Sequence, residues 1–190
     1  NSLRIAKSAG HTESGPLEVT GPRSSILGRS GFNMIRGVHH VALSTPDLDR
    51  LTSFYCDNFQ FEVVYRNEWR QNPVIDRLVG LEGSAARTAM LSAGNTHIEI
   101  FEYSEPKGVE AGTDRPVCDH GYTHFCLEVE DIEAEYERLL SGGMRFHCPP
   151  IATRDSGSFL ATYGRDPDGN VIELIEIRDP KSPIRLDGSP

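Results

Sequence analysis

The chain has 190 residues, of which 37% are hydrophobic and 25% are charged, so it can bury a core and is not a fully disordered chain. Its 28 acidic residues outnumber 19 basic ones and give a net charge of −9, which argues against nucleic acid or a membrane surface as the partner. No apolar run approaches the roughly 20 residues that span a bilayer. The four cysteines form no C-x-x-C pair, so we expect reduced thiols in a cytoplasmic protein.

The two ends of the chain differ in composition from its middle. Residues 1–33 are rich in Ser, Gly and Pro and lack a periodic apolar pattern, so they cannot offset the entropy of ordering. We expect a flexible arm there, either natural or added by cloning. Residues 179–190 form a second irregular, Pro-containing segment. The folded domain is therefore predicted to span 35–178.

An internal repeat organises the middle of the chain. GVHHVALSTPDLDRL (37–51) aligns with GYTHFCLEVEDIEAE (121–135) at an offset of 84 residues, which places His40 on His124. Each segment first alternates apolar and polar residues, as strands do, and then adopts helical spacing. Thr45 is expected to cap the first helix, with Pro46 at its first position, and Asp131 to cap the second.

A hairpin follows each helix of the repeat. The first is predicted over 87–103 with its turn at Gly94-Asn95, and the second over 159–177 with its turn at Asp168-Gly169. Each half thus reads β-α-β-β and leaves space for one more strand. The candidates for these extra strands are 61–66 in the first half and the region around 144–150 in the second.

Strand parity predicts a cluster of His and Glu side chains. Because side chains alternate between the two faces of a strand, the aliphatic residues of four strands share the face that packs on the helices. The opposite faces carry His40, Glu99, His124 and Glu173. If the sheets curve toward each other, these side chains converge, and a divalent ion would then cancel the two buried negative charges. Imidazole and carboxylate ligands suit Zn, Ni, Co, Fe or Mn.

These motifs resemble the vicinal oxygen chelate superfamily, which includes glyoxalase I, methylmalonyl-CoA epimerase, extradiol dioxygenases and bleomycin-binding proteins. The matching segments are GVHHVALSTPDLDRLTSFY, THIEIFEY, GYTHFCLEVEDIEAEYERL and YGRDPDGNVIELIE. The resemblance implies an α+β fold of paired βαβββ modules, here 35–106 and 119–178. These modules form an open, barrel-like mixed sheet around one metal. It also implies His40, Glu99, His124 and Glu173 as ligands and, by analogy, a homodimer that binds a small molecule.

The occupied ligand position at Glu99 favours one reaction class within that superfamily. Isomerase and epimerase members keep a side chain there, whereas ring-cleaving dioxygenases typically do not. We therefore expect a glyoxalase-like lyase or isomerase that transfers a proton through a metal-bound enolate of a small carbonyl substrate. The base would be Glu99 or Glu173, and Glu82, outside the metal shell, is a further candidate. A metal-dependent Fe dioxygenase and a non-enzymatic small-molecule-binding resistance protein remain the alternatives.

Two other features bear on the substrate. The segment 66–87, which contains Trp69 and four arginines, is expected to cover the mouth of the cavity and to meet an anionic group of the substrate. Tyr103 and Tyr163 are candidate hydrogen-bond donors to a bound oxyanion.

Overall fold

In the computed structural model of the protein, the described residues are 35–109, 112–153 and 157–186. The predicted arm 1–33 lies outside these ranges, as do the last four residues of the predicted tail. Among the described residues, no helix combines the length and apolar character needed to cross a membrane.

Module one contains a four-stranded sheet, which we name sheet A. Its elements are β1 (His40–Ser44), α1 (Leu48–Phe59), β2 (Glu62–Arg70), α2 (Pro73–Val79), β3 (Ala85–Ala93) and β4 (Thr96–Glu105). The strand β1 pairs in parallel with β4, and β4, β3 and β2 are antiparallel neighbours, so the order is β1-β4-β3-β2. The extra strand predicted at 61–66 is present and longer, and α2 is an element that the sequence pattern did not predict.

Module two repeats this arrangement in sheet B. Its elements are β5 (His124–Glu128), α3 (Ile132–Ser141), β6 (Arg145–Phe146), β7 (Ile151–Ala152), β8 (Phe159–Arg165) and β9 (Val171–Ile177). The strand order is β5-β9-β8-β6, with β7 also paired to β8, and β5 runs parallel to β9. Both predicted hairpins are therefore present, and the strand expected around 144–150 is reduced to two residues.

The N-cap residues of α1 and α3 can be compared with those predicted from the sequence. Asp131 caps α3 as predicted, because its side chain accepts from the amide of Ala134. The cap of α1 is Asp47 rather than the predicted Thr45, so the helix begins after Pro46. Thr45 instead accepts from the amide of Asp47 at 3.1 Å and donates its hydroxyl to Asp168 of module two at 2.6 Å. Asp is a better N-cap than Thr, so the observed cap agrees with the local preference and leaves Thr45 free for the contact between the modules.

Both modules share one hydrophobic core. It contains the apolar face of α1, one face of sheet A, one face of sheet B and the buried side of α3. Fully buried examples are Leu51, Ile100, Ile132 and Leu174. The predicted α+β class is confirmed, and the two mixed sheets do not close into one barrel within the chain. The faces that carry the predicted ligands therefore point away from the shared core.

A buried polar contact also joins the modules. The Tyr55 hydroxyl on α1 donates to Asp166 Oδ2 at 2.9 Å, and both side chains are almost fully buried. Asp166 also accepts from the Asn170 side chain and from the amides of Asp168 and Asn170 at 2.8–2.9 Å. Burial raises the pKa of Asp166 from its ordinary value, while these hydrogen bonds oppose that rise. The turn between β8 and β9 is thereby fixed against α1.

Candidate metal centre

The first predicted ligand pair lies on sheet A. Because β1 and β4 are parallel neighbours with Ala42 opposite Glu99, the His40 side chain reaches the Glu99 carboxylate across the two strands. His40 Nε2 and Glu99 Oε2 are 3.4 Å apart. The small side chain of Ala42 leaves the space above it open to both groups.

The second pair occupies the equivalent place on sheet B. In this pair Cys126 stands opposite Glu173, and His124 Nε2 lies 3.0 Å from Glu173 Oε2. The internal repeat therefore places a His–Glu pair at the same register in both modules. Such recurrence is the pattern expected of a site rather than of two unrelated surface contacts.

The donor atoms of each pair fit a divalent transition metal. Nitrogen and oxygen ligands sit about 2.0–2.2 Å from such an ion, so two ligands at adjacent positions lie about 3.0–3.4 Å from each other. The two observed distances match this separation. Among the described residues, only histidines pair with Glu99 and Glu173, so no Lys or Arg neutralises these half-buried carboxylates there.

One chain does not bring all four predicted ligands together. Within the described part of the chain, no group of three or more His, Cys, Asp or Glu side chains is close enough to hold one ion. The cause is the shared core, which contains the aliphatic faces of both sheets and directs the two His–Glu pairs outward. Each chain thus presents two separate His–Glu pairs, His40–Glu99 and His124–Glu173, which we call half-sites.

Two further side chains border the half-site on sheet B. The Tyr163 hydroxyl lies 3.5 Å from His124 Nε2, and Tyr163 is the register neighbour of Glu173. Burial, followed by the charges of Glu173 and Cys126, raises the pKa of Tyr163, so its hydroxyl stays protonated at neutral pH. Desolvation and then the adjacent Glu173 carboxylate raise the pKa of Cys126 to about 12. Its thiol is therefore neutral near pH 7 and is a poor nucleophile.

Three aromatic side chains border the half-site on sheet A. Trp69, Phe101 and Tyr103, which we name the aromatic wall, have ring centroids 5.8–6.1 Å apart. Phe101 and Tyr103 follow Glu99 at alternate positions of β4, so all three side chains share one face. Burial and then the charge of Glu99 raise the pKa of Tyr103. The sequence signal for this wall was the alternation itself, but only the pairing of β2 with β3 brings Trp69 to it.

Glu82 does not join either half-site. It is exposed and lies in the loop after α2, where it lines an open cleft of about 460 Å³. The cleft is formed by Pro73, Asp76, Arg77, Gly80, Leu81, Glu82 and Gly83, and none of the four predicted ligands lines it. Its assignment as a base stays a prediction from the sequence.

Three of the four arginines of the segment 66–87 pair with acidic groups, and the fourth, Arg77, lines the cleft beside Glu82. Arg66 and Arg87 both pair with Asp49 of α1, and Arg87 also pairs with Glu102. Arg70 pairs with Glu105 at the end of β4. Arg66 and Arg87 lie on the helix side of the sheet rather than over the half-site, because alternation along β2 and β3 directs them there.

Comparison with known proteins agrees with this architecture. Residues 37–174 match the sequence profile described as the Glyoxalase/Bleomycin resistance protein/Dioxygenase superfamily. A 2-epi-5-epi-valiolone epimerase from an Actinomyces species is 32% identical over 152 residues, which cover 74% of this chain and 79% of that protein.

Solved structures share the fold at lower sequence identity. A glyoxalase family protein from Bacillus cereus superposes with a TM-score of 0.67 at 23% identity, covering 76% of this chain and 96% of that one. A mutant of the fosfomycin resistance protein FosX from Listeria monocytogenes, complexed with Mn(II) and 1S,2S-dihydroxypropylphosphonic acid, gives a TM-score of 0.51 at 20% identity. That match covers 74% of this chain and 90% of the FosX chain.

Proposed function

The chain belongs to the glyoxalase/bleomycin resistance protein/dioxygenase superfamily, and we propose that it is a divalent-metal-dependent enzyme that transfers a proton next to the carbonyl group of a small substrate. The observation that carries this proposal is the recurrence of a His–Glu pair, with N–O distances of 3.4 and 3.0 Å, at the same register of both sheets. The epimerase relative at 32% identity supports the same reaction class.

The proposed centre needs two copies of the chain. Two donors from one module make a weak metal site, whereas four donors from two modules match the number in a structural or catalytic site. Because the two half-sites of one chain face away from their shared core, sheet A of one copy would have to meet sheet B of a second copy. We therefore propose a homodimer with two equivalent centres, as expected for an interface with twofold symmetry.

Each residue has a defined task in this arrangement. His40 and His124 would hold the metal as neutral imidazoles, and Glu99 and Glu173 would supply the negative charge that balances it. When bound, the ion would act as a Lewis acid toward the substrate carbonyl and make the neighbouring C–H group more acidic. One of the two carboxylates would accept that proton and return it, and each comes from a different sheet.

Tyr163 would assist from the edge of the centre. Burial raises the pKa of Tyr163 above its ordinary value of 10.0, so at neutral pH its hydroxyl can donate a hydrogen bond to an oxygen on which negative charge develops. Cys126 lies beside Glu173, which with desolvation raises the pKa of its thiol, and this scheme assigns it no role as a nucleophile.

The test compares Glu99→Gln with Glu82→Gln. We expect wild-type protein to hold about one divalent ion per chain by elemental analysis, and Glu99→Gln to lose most of it because a charged ligand is removed. Glu82→Gln should retain the metal, since Glu82 lies outside both half-sites. A folded wild-type protein that takes up none of Zn, Ni, Co, Mn or Fe contradicts the proposal.

The reaction class needs a second readout. Proton transfer predicts exchange of a substrate C–H for deuterium in D2O, and loss of a positioned general base typically lowers such a rate about 10²–10⁴-fold. If no metal supports exchange while Fe(II) drives uptake of O2, the dioxygenase alternative replaces proton transfer. If Glu82→Gln keeps its metal but loses exchange, Glu82 rather than a ligand is the base.

A further inference from the structure

The residue before each proposed ligand histidine contacts the ring nitrogen that faces away from the carboxylate. In module one, the Nδ1 atoms of His39 and His40 lie 2.9 Å apart. In module two, Thr123 Oγ1 lies 2.9 Å from His124 Nδ1. In both modules Nε2 is the ring atom next to the glutamate. Each ligand ring is therefore held between a polar neighbour on Nδ1 and a carboxylate beside Nε2.

The internal repeat places these two neighbours at equivalent positions. Thr123 follows His39 by the same 84 residues that separate His124 from His40. An imidazole nitrogen and a hydroxyl differ in shape, but each can either donate or accept a hydrogen bond. A contact that recurs at the same distance with different side chains points to a shared role of this position.

The backbone of His39 is anchored, although the residue is exposed. Its carbonyl accepts from the amide of His97 at 3.2 Å and from the Thr96 hydroxyl at 3.1 Å. The rings of His97 and His39 also stack, with centroids 5.2 Å apart and 20° between their planes. The start of β4 thereby fixes the ring that contacts His40 before any ion binds.

The backbone before Thr123 is anchored in a different way. The Tyr122 carbonyl accepts from the Arg115 guanidinium at 2.6 Å, and the Arg115 carbonyl accepts from the Arg165 guanidinium at 2.8 Å. Arg165 is buried and also donates to the carbonyl of Gly169 in the turn between β8 and β9. These hydrogen bonds tie the segment before Thr123 to a buried side chain, so the position of the Thr123 hydroxyl does not depend on a bound ion.

The carboxylates determine where the ring hydrogen lies in the metal-free protein. An ionised carboxylate can accept but not donate a hydrogen bond, so Glu99 and Glu173 favour a hydrogen on the Nε2 atom that each of them faces. A ligating Nε2 instead needs its lone pair, and a neutral imidazole then carries its hydrogen on Nδ1. One proton leaves Nε2 for water and one arrives on Nδ1, so the charge of the ring does not change.

His39 and Thr123 can serve both of these tautomers. The Thr123 hydroxyl donates to Nδ1 of the metal-free ring and, after rotating, accepts from Nδ1–H when Nε2 is a ligand. His39 passes its Nδ1 hydrogen to His40 and takes up another from water on its own Nε2, so it too stays neutral. A backbone amide or a lysine would suit the first tautomer alone, and a carboxylate the second alone.

We propose that His39 and Thr123 are positioning residues that hold the ring hydrogens of His40 and His124 on Nδ1 and so keep each Nε2 free for the metal. The proposal rests on the proposed function, which supplies the ion. Each ligand imidazole then changes its tautomer, but not its charge, when the metal binds. In the proposed dimer the facing sheets would exclude water from both contacts and strengthen them.

Thr123→Val tests this role, because it keeps the shape of the side chain and removes the hydroxyl. We expect Zn(II) to bind about 10–100-fold more weakly, the usual loss when a residue that orients a metal ligand is removed. Thr123→Ser should recover most of the affinity, because it restores a hydroxyl. Thr153→Val is the matched control, since the exposed Thr153 contacts the carbonyl of Phe159. Affinity is measured on the full chain by competition with a chromophoric chelator.

His39 allows an independent pair of variants. His39→Phe keeps a ring that can stack on His97 but has no ring nitrogen, so Zn(II) affinity should fall within the same range of about 10–100-fold. His39→Asn should recover most of that loss, because its side-chain amide can donate or accept at the position of Nδ1.

Nitrogen NMR of protein with isotopically labelled histidine identifies the ring nitrogen that carries the hydrogen. In wild-type protein we expect it on Nε2 of His40 and His124 without metal and on Nδ1 of both with Zn(II). In Zn(II)-loaded Thr123→Val, the Nδ1–H of His124 should exchange with water faster, while that of His40 keeps its rate. A general loss of stability would not change one ring alone.

The outcomes separate this role from the metal centre itself. Zn(II) bound through Nδ1 of either ring overturns the positioning role, and so does a Thr123→Val variant that binds Zn(II) as tightly as Thr153→Val. Failure of Thr123→Ser to recover affinity would likewise overturn it. In all three cases the metal centre stands. A folded wild-type protein that binds no divalent transition metal overturns the centre and the positioning role together.

Discussion

Replacing Tyr55 with Phe removes one hydroxyl group from the contact between the two modules. That hydroxyl is buried and donates to the buried carboxylate of Asp166 at 2.9 Å. Hydrogen bonds to charged groups contribute about 1.5–3 kcal/mol, so we expect the free energy of unfolding to fall by about that amount. For a domain of this size the melting temperature should fall by about 3–12 °C.

The loss should depend on pH. Burial raises the pKa of Asp166, so the folded protein binds its proton more tightly than the unfolded chain does. The stability contributed by this group is therefore present at low pH and is lost as the pH rises through the raised pKa. Because the Tyr55 hydroxyl favours the ionised form, its removal should cost more at pH 8 than at about pH 4–5.

Urea unfolding at both pH values measures this cost. Tyr136→Phe is the matched control, since the Tyr136 ring packs on Phe146 and its hydroxyl makes no hydrogen bond with the described residues. A Tyr55→Phe variant that loses no more stability than Tyr136→Phe would refute the assigned role of the contact. So would a cost that is the same or larger at low pH.

Three further predictions concern other parts of the chain. Gly164→Ala should destabilise the protein by about 1–3 kcal/mol, because the new Cβ would lie 2.4 Å from Met144 Cε. In a double-mutant cycle, Gly164→Ala should cost less stability when Met144 is also replaced by Ala than it does in the wild-type chain. The same cost in both backgrounds would contradict the clash. Glu173→Gln should raise the alkylation rate of Cys126 in metal-free protein at pH 8, since the Glu173 charge, together with desolvation, raises the pKa of that thiol to about 12. An unchanged alkylation rate, measured by mass spectrometry, would show that the Glu173 charge does not affect the pKa of Cys126. A chain that starts at Met34 should melt within a few degrees of the full chain, because residues 1–33 lack a core-forming pattern. A larger decrease in melting temperature would show that the arm packs on the folded part.

The repeat made most of the fold predictable. The alternation of apolar and polar residues predicted the strands that carry His40, Glu99, His124 and Glu173. Turn residues predicted both hairpins. Periodicity did not predict α2, a helix of only seven residues. The cap of α1 was misassigned because two capping residues flank Pro46: the structure uses Asp47, the better N-cap, while Thr45 bonds Asp168 of the other module.

The His–Glu pair within each sheet could be predicted from the sequence, but the position of one pair relative to the other could not. Parity correctly assigned each His and Glu to the face opposite the core, so the two pairs follow from local sequence. Whether the sheets curve toward each other within one chain depends on how the modules dock, and here they dock through their helix-side faces. The positions of Arg66 and Trp69 likewise required the register between β2 and β3.

The central claim is that each metal centre combines a half-site from each of two chains. Two inactive variants test it, one with His40→Ala and Glu99→Ala and the other with His124→Ala and Glu173→Ala. The two are coexpressed with different affinity tags, and the mixed dimer is isolated through both tags. One of its two centres then has all four ligands, and the other has none.

Elemental analysis of that mixed dimer gives the decisive number. We predict almost no metal in either variant alone and about one ion per mixed dimer, half of the wild-type content. A mixed dimer as empty as its parents, or a wild-type chain that holds its ion as a stable monomer, would contradict the shared centre.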